Sequence, residues 1–112
     1  MNMRRILSVF MFLCAMAATA TAQETPLKFA FLTDLHYSAG SGSVKDLSRC
    51  VKDVNTLDSL DFVLVGGDLT DFGTDEEIAA VKQMLDSLRY KYYVVAGNHD
   101  AKWSESGCNT FL

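Results

Sequence analysis

No run of lysine or arginine occurs in this 112-residue sequence, and 10 basic residues stand against 14 acidic ones. An acidic surface does not attract phosphate backbones, so unaided binding to DNA or RNA is disfavoured and cations become the more natural partners. Long apolar runs are also lacking. The stretch Ile6 to Ala18 falls short of the ~20 residues a bilayer-spanning helix needs. Arg4 and Arg5 precede it and Ala20-Thr21-Ala22 follows, so residues 1–22 read as an export signal whose removal leaves Gln23 first. The mature chain, 23–112, is then expected in the periplasm or outside the cell, with no membrane span. It keeps 8 basic and 14 acidic residues, so the net charge moves from −4 to −6.

Cysteine is scarce, with three in all. Cys14 follows Met11-Phe12-Leu13, not the small residues that a lipid-anchor cleavage site wants. Cys50 and Cys108 could pair in an oxidising compartment, although Cys50 also falls on an apolar helix face where a thiol is simply buried. The length allows one domain or part of one.

What is present is a repeating pattern. Leu27 to Leu32 reads as a short buried strand ending at Thr33-Asp34. A Ser/Gly loop, residues 38–43, leads to Val44, Leu47, Val51, Val54 and Leu57 at helical spacing. A second strand, Asp61 to Val65, stops at Gly66-Gly67-Asp68. Thr74-Asp75-Glu76-Glu77 has the form of a capping box and opens a helix with Ile78, Val81, Leu85 and Leu88 on its apolar face. A third strand, Tyr92 to Ala96, runs into Gly97-Asn98-His99-Asp100.

Strand, helix, strand, helix, strand at this spacing forms two crossover units and a parallel sheet, so the class is α/β. The strands are apolar on both faces, as doubly covered strands are, yet two helices wound in one sense cover only one. The chain therefore reads as half of a layered domain. Trp103 is expected to anchor the missing cover. A dinucleotide-binding module shares the element order but requires Gly-x-Gly-x-x-Gly after the first strand, which is absent.

Each strand ends in residues of metal-ligand type: Asp34 and His36, then Asp68, then Asn98, His99 and Asp100. Taken singly, such residues are more often helix caps or turn formers. In an open α/β sheet, however, sites form outside the carboxyl ends of the strands, and all three groups fall at that edge. Carboxylate, amide and imidazole donors suit divalent ions. Tyr37 could line such a site, but a packed tyrosine without a role is the more ordinary outcome.

Asp34-x-His36, Gly67-Asp68 and Gly97-Asn98-His99-Asp100 resemble the first three motifs of the calcineurin-like metallophosphoesterases, over residues 28–100. The resemblance implies the N-terminal βαβαβ half of a four-layer α/β/β/α sandwich and hydrolysis of phosphoester small molecules at a site with two divalent metal ions, Mn, Fe or Zn. Asp34 and His36 would bind the first ion, Asp68 would bridge both and Asn98 would bind the second. His99 would contact the phosphate and protonate the leaving oxygen, with Asp100 orienting its ring.

The family's later histidine ligands have no counterpart here, since His36 and His99 are the chain's two histidines. The chain is thus expected to be a fragment of the full enzyme and inactive in isolation. The rival reading is a non-catalytic truncated product or metal-binding half-domain. Purple acid phosphatases carry a tyrosine where this chain has Asp71, and serine/threonine phosphatases carry an arginine nearby that is absent here. The resemblance therefore narrows to the bacterial phosphodiesterase-like branch, some of whose members act on cyclic nucleotides or glycerophosphodiesters.

Overall fold

The computed structural model describes residues 24–102, so the export signal, Cys14, Trp103 and Cys108 lie outside the described residues. The elements follow in the order β1 (Phe29–Leu32), α1 (Ser43–Thr56), β2 (Phe62–Val65), α2 (Asp75–Leu85), β3 (Tyr92–Val94) and α3 (Asn98–Lys102). The three strands form one parallel sheet in the order β1-β2-β3. Register pairs Phe29 with Phe62 and Leu32 with Val65, and Val65 in turn with Val94. This is the expected α/β half, in which each crossover helix returns the chain to a neighbouring parallel strand.

Side chains alternate across a strand, so the sheet has two distinct faces. Val63 and Val65 point into a fully buried core with Leu47, Val51 and Val54 of α1 and Val81 and Leu85 of α2. The opposite face carries Phe29, Phe31, Tyr93 and Val95, about half exposed. Its rings pack sideways, with Phe29 stacked on Phe62 at 5.2 Å and Tyr93 set edge-on to Phe62 at 5.8 Å. Among the described residues, one face is covered by helices and the other is not, as the count of helices implies.

Two helical expectations shift at the ends. Leu57 is not on the apolar face of α1, because the helix closes at Thr56 and Leu57 is extended (φ −71°, ψ 138°) and exposed. Leu88 lies beyond α2, in the turn that follows, yet is buried with the core. At the start of α2, Thr74 Oγ1 accepts from Glu77 N at 3.1 Å, which is half of a capping box. The other half is redirected, since Glu77 Oε2 accepts from Phe72 N at 3.1 Å and holds the preceding loop. Cys50 is only partly buried against the core, and burial followed by the nearby Asp53 charge raises its thiol pKa. No helix among the described residues is long and apolar enough to cross a membrane.

Candidate metal centre

Pairing between β1 and β2 does not stop where the strands do. Asp34 N donates to Gly67 O at 3.1 Å, His36 N to Asp68 O at 3.0 Å and Tyr37 N to Leu69 O at 2.8 Å. The two post-strand loops are thereby zipped together. Three of the residues they carry are forced into left-handed backbone: Asp34 (φ 54°), His36 (φ 43°) and Asp68 (φ 46°). Such conformations cost an L-residue about 1–2 kcal/mol each and persist where surrounding structure imposes them, often at functional sites.

The result is convergence. One ligand atom each of Asp34, His36 and Asp68 lies within 4.8 Å of the others. His36 Nε2 is 3.8 Å from Asp34 Oδ1. Two carboxylates and an imidazole at that spacing are a donor set for a divalent ion of the Zn, Mn or Fe type. Asp34 is exposed, while His36 and Asp68 are half-buried, so the group opens to solvent on one side.

The third strand end meets this group through the main chain. His99 N donates to Asp68 Oδ1 at 3.0 Å, fixing the carboxylate. That contact requires a close approach of residue 97, where an added Cβ would sit 2.1 Å from Asp68 Oδ1 and 2.2 Å from Asp68 N, so only glycine fits. Asn98 is the exposed first residue of α3, beside this contact. The His99 ring stands edge-on to the His36 ring with centroids 4.9 Å apart.

Asp100 is held by four donors. Its Oδ2 accepts from Gly97 N at 2.8 Å and Leu69 N at 3.1 Å, and its Oδ1 accepts from the amide and hydroxyl of Thr70, both at 2.9 Å. Fully buried, it ties the loop after β2 to the loop after β3. His99 Nδ1 contacts the carbonyl of Asp71, at 2.8 Å. A carbonyl only accepts, so Nδ1 carries the proton. Tyr37 is buried with the core.

One residue near the centre went unassigned in the sequence. Asp71 Oδ1 lies 3.0 Å from His36 Nδ1, and Asp71, His36 and His99 form a second group with ligand atoms within 4.8 Å. The signal available was an Asp three residues after Asp68, on the same strand-end loop.

A parallel α/β sheet with carboxylate and imidazole donors gathered at its carboxyl edge defines the class, a layered α/β protein with residues that could hold a metal ion. The calcineurin-like phosphoesterase family matches residues 27–112, and the chain belongs to that family. Among its relatives, a probable glycerophosphodiester phosphodiesterase of Arcobacter nitrofigilis is 40% identical over 57 residues, covering 50% of this chain and 21% of that protein. A 3',5'-cyclic-nucleotide phosphodiesterase of Nostoc sp. is 31% identical over 86 residues, 70% of this chain and 32% of that protein. A probable cyclic nucleotide phosphodiesterase of Vesicomyosocius okutanii is 31% identical over 71 residues, 63% of this chain and 30% of that protein. The chain thus spans between a fifth and a third of the length of these relatives.

Proposed function

We propose that this protein takes part in metal-dependent hydrolysis of phosphoesters, with a phosphodiester such as a cyclic nucleotide or glycerophosphodiester as substrate. The observation that carries the reading is the meeting of Asp34, His36 and Asp68 within 4.8 Å at the carboxyl edge of the sheet. The activities for which the relatives are named support the phosphodiester class. Two divalent ions, Mn, Fe or Zn, would supply charge to the phosphoryl oxygens and activate the attacking water. Asp34 and His36 would hold the first, Asp68 would bridge and Asn98 would hold the second.

His99 is the proton-transfer group in this reading. With Nδ1–H given to Asp71 O, a proton for the leaving oxygen must be carried at Nε2, so the ring works in its doubly protonated form. Asp100 contributes by holding the loop that carries His99. Export through residues 1–22 belongs to the same proposal, and the mass of the protein from its native host tests it by showing whether Gln23 is the first residue.

The test of function is metal content together with turnover of an aryl phosphodiester, in the protein as its host makes it. His99→Ala should lower kcat by ~10²-fold or more while metal content stays nearly intact. Loss of both ions in that variant would make His99 a ligand and overturn the assignment. A second reading, a metal-binding half-domain without turnover, is motivated by the half-exposed aromatic face that the sheet shows among the described residues. Stoichiometric metal without turnover would favour it.

A further inference from the structure

Asp71 touches both histidines of the site, each through a different group. Its carboxylate Oδ1 is 3.0 Å from His36 Nδ1, and its carbonyl is 2.8 Å from His99 Nδ1. The two nitrogens of His36 are thereby divided. Nδ1 faces Asp71, while Nε2 faces Asp34 and its group, 3.8 Å from Asp34 Oδ1. An ionised carboxylate only accepts, so the His36 proton sits on Nδ1 and Nε2 is left with the lone pair a metal requires.

We propose that Asp71 is a positioning residue for metal binding: it fixes the tautomer and ring direction of His36 so that Nε2 is presented to the ion shared with Asp34 and Asp68. This rests on the metal reading given above. One observation favours a geometric role over a simple ion pair. Both side chains are 38% exposed, where an ion pair contributes little to stability, so the contact's value lies in direction.

Asp71 is in turn well held. Its N–H donates to Tyr37 O at 3.0 Å, and the next amide, Phe72 N, donates to Glu77 Oε2 at 3.1 Å. The main chain that carries the carboxylate is therefore braced from the core through Tyr37 and from α2 through Glu77. Carboxylates bonded to the distal nitrogen of a metal-ligating histidine raise metal affinity by about 10–100-fold.

The experiment uses the protein as its host makes it, stripped of metal and titrated with Zn(II), in wild-type, D71A and D71N forms. D71A should weaken zinc affinity about 10–100-fold without changing the number of ions bound. D71N retains an oxygen acceptor and should recover most of that loss, and thermal melts of the metal-free forms should coincide. Nitrogen NMR of His36 in the zinc form should show a proton on Nδ1 and metal on Nε2. Wild-type affinity in D71A would overturn the proposal. So would one ion fewer in both D71A and D71N, which would make Asp71 a ligand. Should D71A fail to fold, the wild-type spectrum still decides, because a His36 proton on Nε2 would overturn it. No zinc uptake by the wild type would instead overturn the functional reading itself, and this inference with it.

Discussion

A methyl group at residue 97 has no space to occupy. Its ideal position lies 2.1 Å from Asp68 Oδ1, so Gly97→Ala must push the loop after β3 away from the carboxylate that it positions. Overpacking of this kind costs about 1–3 kcal/mol. The expected outcome is a lower melting temperature together with weaker metal binding, measured on the same sample by calorimetry. Asp34 presents the opposite case. It is an exposed residue held at φ 54°, with a side chain that accepts from the neighbouring Thr33 hydroxyl and faces His36 Nε2 at 3.8 Å. Asp34→Gly should relieve about 1 kcal/mol of backbone strain and raise the stability of the metal-free protein while abolishing binding of the first ion. A fall in metal-free stability on that change would show that the left-handed turn carries no strain.

Two tethers act between elements. Asp100 collects four donors from two loops and is buried to 1% exposure, so Asp100→Ala strands amides of Gly97, Leu69 and Thr70 with no acceptor. At about 1–3 kcal/mol per stranded donor, the variant should lose roughly 3 kcal/mol or more in urea denaturation. Its defect would appear as unfolding first and as slow chemistry only second. The other tether joins the end of α2 to β3, where the Tyr92 hydroxyl donates to Asp86. Burial, and after it this hydrogen bond, push the Tyr92 hydroxyl up to about 12. The unfolded phenol titrates near ~10, so the unfolded chain loses its proton first as pH rises. The contribution to stability is complete below pH ~10 and is lost as pH climbs toward 12. In a phenolate absorbance titration a late-titrating component should appear, and Tyr92→Phe should remove it.

For the molecule as a whole, the sheet divides the structure into a finished half and an open one. Val63 and Val65 are wholly buried under the two long helices, whereas Phe29, Phe31, Tyr93 and Val95 face outward. Expressed as residues 23–112, the chain should bind a fluorescent apolar-surface dye strongly, and the pair F31S and Y93S should reduce that signal. Unchanged dye binding would place the apolar surface elsewhere. Much of this was legible beforehand. Strand and helix order follow from hydrophobic periodicity, and the position of Asp34, His36, Asp68 and His99 at strand ends follows from that order, because both depend on residues near one another in the chain. Which atoms meet depends on contacts some thirty residues apart, which no local pattern encodes. The carboxylate of Asp100 bonds Leu69 and Thr70 across that separation, the carbonyl of Asp71 reaches His99, and Asp71 Oδ1 reaches His36. The sequence alone therefore determined the elements, their order and the edge where the site lies. Tertiary structure decided the division of labour among its acids, because a carboxylate's role is set by the donors that the fold brings to it.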